Sequence, residues 1–179
     1  ASVVNSEGTI KGRGIEPRNL QTDISIKANN SLINTYRIND LIFTATADAK
    51  KIELDFNGIV NKAEADFKGK LDFTDNENPE YDFAGKIDSL HLPNFLDDST
   101  LASTLNFNFD AKGKSFNLDS IEAKFDFGVY SSVYKGYEID SSNIILDLKR
   151  SPGNREISLN SDFVDVNFNG DFSLSRAVD

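Results

Sequence analysis

The chain has 179 residues, a net charge of −10 and no cysteine, and these properties exclude several classes of function. An acidic chain has little that could neutralise a row of phosphates, so we expect no nucleic-acid partner and no docking on an anionic membrane surface. The absence of cysteine excludes disulfide frameworks, thiol chemistry and cysteine-ligated zinc.

Apolar and polar residues alternate along nearly the whole chain, and a period of two predicts β-strands. In chain order, the alternating runs span residues 20–28, 41–47, 52–56, 63–73, 81–87, 105–111, 121–129, 144–148, 157–159 and 164–174. Turn-forming residues separate several runs, for example at 75–79 and 151–154. Such connections are too short for parallel crossovers, so we predict an all-β fold of about a dozen mostly antiparallel strands.

The only helix candidate is the segment 92–98, where Pro93 and Asn94 suit the start of a single turn. A segment this short cannot cover a sheet. We therefore expect little or no helix, and a sheet whose apolar side has to be covered in another way.

The sequence also repeats itself. A shift of 101 residues superimposes Tyr36 on Tyr137, Phe67 on Phe168 and Gly69 on Gly170. An odd shift is informative, because sequences of period two align by chance at even shifts. We therefore predict a first β-repeat at 1–100 and a second, incomplete repeat at 101–179, which form one continuous unit within a longer repetitive protein.

Four predicted strands share the motif Phe-x-Gly-x-apolar. The motif begins at Phe56, Phe67, Phe83 and Phe168. Glycine inside a strand weakens it and usually marks a bulge, a bend or the close approach of another chain. Two interpretations stay open: the glycines let a strongly coiled sheet fold over its own apolar side, or they allow direct contact with bound apolar chains.

The predicted apolar side is too large to be left in water. Burial of a large apolar side chain contributes ~1.5–3 kcal/mol. Ten exposed side chains would therefore forfeit roughly 15–30 kcal/mol, more than the ~5–15 kcal/mol net stability of a typical domain. Three arrangements would cover this side: a second sheet, closure into a barrel, or an open channel that holds an apolar guest.

The repeat favours the open channel, because similar faces recur along its length. We predict an elongated, strongly curled, mostly antiparallel sheet that forms a U-shaped groove (a β-taco) with an apolar interior. The residues predicted to line this groove and contact lipid or client are Phe56, Phe67, Leu71, Phe73, Phe83, Ile87, Phe107, Phe125, Phe127, Val166, Phe168 and Phe172.

Four stretches show this alternation, all or part of the Phe-x-Gly motif, or a recurrent tyrosine: residues 69–73, 79–92, 134–139 and 163–172. Together they resemble the AsmA-like family of large Gram-negative envelope proteins, in particular its TamB group. The resemblance implies a periplasmic location, an N-terminal inner-membrane anchor of the parent protein and an outer-membrane β-barrel partner. It also implies roles in outer-membrane protein assembly and in phospholipid transport between the membranes.

Residues suited to catalysis are scarce. His91 is the only histidine, and we interpret it as an ordinary surface or turn residue. Asp75 and Glu77 suggest calcium ligands, but their loop lacks the glycine of a calcium-binding loop and contains proline. No glycine-rich phosphate loop opens a predicted helix. We therefore predict no enzyme activity, no catalytic residues, no metal site and no cofactor.

The main hypothesis is a segment of a periplasmic bridge protein that shields phospholipid acyl chains or unfolded outer-membrane protein strands during outer-membrane biogenesis. One alternative is a structural or adhesive β-sandwich module of a cell-surface protein, although no clear interdomain linker is present. Another is a closed barrel of lipocalin type, which would not explain the internal repeat. Unpaired edges of a continuous sheet also predict an end-to-end homodimer.

Overall fold

The computed structural model describes residues 2–14, 20–96 and 98–175. In these residues the fold is all-β, and eleven strands form one antiparallel sheet. The strands are β1 (Ser6–Arg13), β2 (Gln21–Ile33), β3 (Tyr36–Asp48), β4 (Lys51–Val60), β5 (Ala63–Asp72), β6 (Glu80–Leu90), β7 (Ser103–Lys114), β8 (Glu122–Tyr134), β9 (Tyr137–Ser151), β10 (Asn154–Ser161) and β11 (Asp165–Gly170). Between β6 and β7 lie a one-turn helix, α1 (Pro93–Leu96), and a 3₁₀ turn at Ser99–Leu101. The all-β part of the predicted fold class, the antiparallel pairing and the single helical turn are confirmed.

The strands follow one another across the sheet in sequence order, from β1 to β11. Tight turns make this order possible. Asn61 and Lys62 connect β4 to β5 with positive φ angles of 50° and 75°, as in a type I′ hairpin turn, whose twist matches that of the strands. Lys135 and Gly136 connect β8 to β9 with φ angles of 49° and 83°. Consecutive strands therefore lie side by side without crossovers.

The sheet is open. Strands β1 and β11 form its two edges, and the described residues form neither a closed barrel nor a sandwich of two sheets. The sheet is also not strongly curled, which corrects one part of the fold expected from the sequence. That expectation combined the internal repeat with glycines that would let the sheet fold over itself. In the structure, the space beside Gly69 and Gly85 holds phenyl rings from neighbouring strands instead.

Strands β1 to β3 and strands β7 to β9 pair in the same register at a distance of 101 residues. Equivalent pairs are Val3–Leu32 and Thr104–Val133, Ser6–Ala28 and Phe107–Val129, and Ile33–Tyr36 and Tyr134–Tyr137. In each set the middle strand carries one extra residue relative to the preceding strand, which forms a bulge. These residues are Asn30 and Ser131, with positive φ angles of 41° and 40°.

A buried serine follows each bulge. Ser31 Oγ accepts a hydrogen bond from the Asn5 N–H at 2.8 Å, and Ser132 Oγ accepts one from the Asn106 N–H at the same distance. Ser31 and Ser132 are 1% and 2% exposed. The 101-residue recurrence thus extends from the sequence to bulges and hydrogen bonds, while the repeat boundary at residue 100 stays a prediction.

No phenylalanine, leucine, isoleucine or valine among the described residues is fully buried. The buried apolar residues are Ala28, Ala63, Tyr81 and Ala123. The accessible surface of 11805 Å² also exceeds the about 8,600 Å² expected for a compact monomer of 19.8 kDa. A single open sheet accounts for both observations, because a side without a second layer stays partly in water.

Candidate apolar binding face

One side of the sheet is apolar from edge to edge, and cross-strand pairing arranges its residues in rows. One row crosses all eleven strands through Ile10, Ile24, Ala45, Leu54, Gly69, Phe83, Ala111, Phe125, Leu146, Leu159 and Val166. A second row contains Ile26, Phe43, Phe56, Phe67, Gly85, Phe109, Phe127 and Ile144. We call the side that carries these rows the apolar face. Ten interstrand steps of ~4.8 Å make it about 48 Å wide.

Most residues predicted to line the groove lie in strands on the apolar face. They are Phe56, Phe67, Leu71, Phe83, Ile87, Phe107, Phe125, Phe127, Val166 and Phe168. Phe73 and Phe172 follow the ends of β5 and β11 and lie outside the strands. The fold therefore brings the strand residues together on one surface, and their contact with lipid or client stays a prediction.

Aromatic rings pack side by side along the middle of the apolar face. The Phe67 ring stacks on Phe83, with 5.6 Å between ring centroids, and lies 6.1 Å from the Phe109 ring. The Phe107 and Phe127 rings lie 4.9 Å apart. All five side chains are half-buried, because contacts within the sheet cover only part of each ring.

Glycines make room for these rings. Phe83 lies opposite Gly69, and Phe67 lies opposite Gly85, on the paired strands β5 and β6. A Cβ atom added to Gly69 would lie 2.4 Å from Phe83 Cδ1, and one added to Gly85 would lie 2.7 Å from Phe109 Cε1. The Phe83 ring of β6 thus lies over Gly69 of β5, and the Phe109 ring of β7 lies over Gly85 of β6. Such ring-over-glycine packing supports glycine in sheets.

The connection between β6 and β7 covers one end of the apolar face. The Phe95 ring of α1 lies 5.9 Å from the Tyr36 ring, and the Tyr36 hydroxyl donates a hydrogen bond to the Phe95 carbonyl oxygen at 3.2 Å. His91 Nδ1 donates to the carbonyl oxygen of Ser103, and the Leu92 N–H donates to the Ser103 hydroxyl at 3.1 Å. His91 therefore fastens this connection to the start of β7.

The connection between β7 and β8 covers the opposite end. The Phe116 ring stacks on Tyr81 with 5.2 Å between centroids, and burial raises the pKa of the Tyr81 hydroxyl. Arg155 is buried and donates hydrogen bonds to the carbonyl oxygens of Leu118 and Asp119 at 3.0 and 2.6 Å. Both ends of the apolar face are thus partly covered, and its middle is the open part.

Asp119 also holds the segment that follows β11. Its carboxylate accepts hydrogen bonds from the hydroxyls of Ser175 and Ser173 at 2.6 and 2.9 Å, and from the Ser175 N–H at 3.2 Å. These hydrogen bonds, that of the Ser175 hydroxyl first, lower the pKa of Asp119 to about 2. The segment after β11 is therefore tied to the connection that covers this end.

The opposite side of the sheet is polar and carries ion pairs between neighbouring strands. Lys70 Nζ lies 3.1 Å from Glu53 Oε1, and Lys112 Nζ lies 3.3 Å from Asp82 Oδ2. These side chains are mostly exposed, so solvent screens their attraction and each pair adds little stability. Their main effect is to keep this side hydrated, which leaves the apolar face as the surface suited to an apolar ligand.

The acidic loop between β5 and β6 is organised by Asp75. Its carboxylate accepts hydrogen bonds from the N–H groups of Glu77 and Asn78 at 2.9 and 3.2 Å, and these contacts lower its pKa. Such contacts are typical of a local turn. Within the described ranges, no cluster of three or more histidine, aspartate or glutamate side chains is placed to hold a metal ion. None of the described helices has the length and apolar character needed to cross a membrane.

The sequence prediction omits residues that shape the apolar face. Phe43 and Phe109 lie in the row through Phe67, and their place in the alternation is sufficient to include them. Phe95 and Phe116 cover the two ends from irregular connections, where no period indicates the direction of a side chain. Their packing becomes visible only when the connections are placed in three dimensions.

Comparison with known proteins gives no match, since no family model, no curated protein and no solved structure is significantly similar to the chain. The resemblance of its motifs to the AsmA-like family remains an interpretation of the sequence. The function therefore has to be argued from the apolar face itself.

Proposed function

We propose that this chain is a segment of a periplasmic bridge protein whose apolar face shields phospholipid acyl chains or unfolded outer-membrane protein strands. The observation that carries the proposal is the apolar row across all eleven strands, which no second sheet covers in the described part of the chain. Domains ordinarily bury such a face in their own core. A large apolar surface that stays half exposed favours an apolar partner.

The size of the apolar face suits acyl chains. Strands of 10 residues, such as β4 and β5, are about 33 Å long at ~3.3 Å per residue. Each methylene that leaves water contributes ~0.8 kcal/mol, so an acyl chain gains from lying on half-exposed phenyl and aliphatic side chains. Binding in this proposal is passive and needs no catalytic group. The U-shaped groove is the form that we propose for the sheet around its guest.

The covered ends favour one direction for the guest. The Phe95 and Phe116 connections lie at opposite ends of the strands, so the open path runs across the strands, from β1 towards β11. The 101-residue repeat extends along the same direction. An acyl chain would therefore pass from one repeat to the next without leaving an apolar surface.

The cellular setting of the proposal comes from the resemblance to the AsmA-like family. The parent protein would be anchored in the inner membrane, cross the periplasm and meet an outer-membrane β-barrel partner. The acidic polar side would keep the sheet soluble in the periplasm, since the net charge is −10.

The test is binding of phosphatidylethanolamine with a fluorescent acyl chain, together with native mass spectrometry of protein purified from a bacterial host. Phe107→Asp places a charge on the apolar face, whereas Asn108→Asp places the same charge on the polar side of the same strand. We expect Phe107→Asp to weaken binding about tenfold or more, because a bound acyl chain would displace water from the new carboxylate. Asn108→Asp should bind like the unmodified protein.

A second pair of variants separates a loss of binding from a loss of folding. Ile26 is 38% exposed on the apolar face, so Ile26→Asp is compatible with the fold, and Ser25→Asp is its control on the polar side. Circular dichroism checks the sheet in every variant. If the unmodified protein binds neither the phospholipid nor an apolar dye, the proposal is wrong, and a structural module whose apolar face is covered by another part of the protein becomes the better explanation.

A further inference from the structure

Strand β11 ends the sheet with an edge whose internal counterpart is paired. Phe168 of β11 pairs with Ile157 of β10 in the register in which Phe67 of β5 pairs with Phe56 of β4, again at a distance of 101 residues. On its other side β5 pairs with β6. Strand β11 has no neighbour on that side among the described residues. The position beside β11 thus corresponds to the position that β6 occupies beside β5.

The side chains of β11 are also less covered than their counterparts in β5. At Gly69 an added Cβ would lie 2.4 Å from a Phe83 ring atom, but at Gly170 the nearest atom is Phe172 Cδ1 at 3.8 Å. Phe168 is 60% exposed, whereas its counterpart Phe67 is half-buried and stacks on Phe83. The edge therefore has a free glycine surface and a free phenyl ring, the two features that β5 uses to hold a phenylalanine of β6.

The backbone of β11 is also available for pairing. The Ser161 N–H donates to the Val164 carbonyl oxygen at 3.1 Å across the β10–β11 turn. Hydrogen-bonding direction alternates along an antiparallel strand, so Val166 and Phe168 face β10, while the N–H groups of Asn167 and Asn169 point to the open edge. A strand added at this edge would find unpaired donors and acceptors in the spacing that it needs.

We propose that the β11 edge docks an extended polypeptide segment with the side-chain pattern of β6, antiparallel to β11. In the register of β5 with β6, the segment places a phenylalanine over Gly170 and a glycine opposite Phe168. The β6 strand of a second copy is already paired on both sides, so the partner is a segment of this pattern from another polypeptide. The inference concerns the edge and does not depend on lipid binding to the apolar face.

The experiment uses a fluorescent peptide with the sequence of Glu80–Leu90 and the unmodified 179-residue chain. Fluorescence anisotropy measures its dissociation constant, and hydrogen–deuterium exchange locates the protected amides. We expect saturable binding and slower exchange in β11. A control peptide of the same composition, with phenylalanine and glycine exchanged, should bind about tenfold or more weakly, since its ring would then lie opposite Phe168 instead of Gly170.

Two variants of the chain test the edge itself. Gly170→Ala leaves the free protein intact, because the added methyl makes only an ordinary contact with Phe172. The methyl occupies the ring position, so it should weaken peptide binding about tenfold. Asn167→Pro removes a donor that points outward and keeps the bonds to β10, so it should also weaken binding, whereas Asn167→Thr should not. Equal affinity for the exchanged peptide or for Gly170→Ala, or protection outside β11, would overturn the proposal. The end-to-end homodimer expected from the sequence is the competing outcome. Self-association that protects the β11 amides without peptide would overturn the proposal too, because a second copy would then occupy the edge.

Discussion

Glycines on the apolar face differ in what occupies the space beside them. Gly69 and Gly170 are equivalent in the repeat, but only Gly69 lies under a phenyl ring. We expect Gly69→Ala to lower the free energy of unfolding by about 1–3 kcal/mol, because the Phe83 ring must move out of its stack with Phe67. Urea denaturation followed by circular dichroism measures the change.

Gly170→Ala is the matched control for this prediction. Its methyl group meets only Phe172 Cδ1 at 3.8 Å, an ordinary contact. The alanine also restricts the unfolded chain, so the free energy of unfolding should stay equal or rise by up to ~1 kcal/mol. If both variants lose the same stability, glycine matters here only for the strand backbone, and the packing of rings on glycines is not the reason for the Phe-x-Gly motif.

At the scale of elements, the segment after β11 is held by one carboxylate. The pKa of Asp119 is lowered from 3.8 to about 2 in the folded protein. Because its pKa is lowered on folding, the Asp119 carboxylate stabilises the folded protein fully at a pH above its unfolded pKa. This stabilisation is lost as the pH falls through its folded pKa. We therefore expect residues 171–175 to detach from the β7–β8 connection as the pH falls from about 4 to about 2, while the strands stay paired.

Nuclear magnetic resonance can follow this detachment at two atoms, the Asp119 carboxyl carbon and the Ser175 amide. The two signals should titrate together near pH 2. In Asp119→Asn the Ser175 amide should lose this titration, because the charge that accepts its hydrogen bond is gone. A Ser175 signal that stays constant down to pH 2, or that titrates at the ordinary aspartate value, would contradict the prediction.

The elements themselves were predictable wherever large apolar residues alternate without interruption. The run 63–73 predicts β5 almost to its ends and predicts the side of Phe67. In β2 the predicted run stops at Ala28, because the bulge at Asn30 reverses the parity and the strand continues to Ile33. Strand β1 carries only one large apolar residue on the apolar face, Ile10, so alternation gives it little signal.

The register and the covered ends could not be read from periodicity. Period two tells which residues share a side, but it does not tell which residues face each other across two strands. The pairing of Phe83 with Gly69 depends on the tight turns and on the loop length between β5 and β6. Strong curling was expected in part because the glycines left room for the sheet to fold over itself. The sheet is not strongly curled, and phenyl rings of neighbouring strands, which periodicity alone does not place, fill that room.

At the scale of the whole molecule, the chain forms a wide sheet but buries few large apolar side chains. The chain forms a sheet about 48 Å wide at ~4.8 Å per strand, and no second layer lies over its apolar face in the described residues. Contacts within the sheet leave the phenyl rings at best half-buried. The folded protein therefore keeps apolar surface in water that a compact domain of the same length would bury on folding.

This exposure should be measurable in the heat capacity of unfolding. A compact protein of 179 residues gains about 2.1–2.7 kcal/mol/K on unfolding, because newly exposed apolar surface orders water. The folded chain has about 3,200 Å² more accessible surface than a compact monomer, so we expect a value lower by several tenths of a kcal/mol/K. Calorimetry at two protein concentrations, with sedimentation to establish the monomer, makes the measurement.

A monomer with the full compact value would mean that its apolar face is buried in solution, and the binding-face proposal would lose its basis. A low value that rises when phospholipid is bound would identify the exposed face as the surface that the lipid covers.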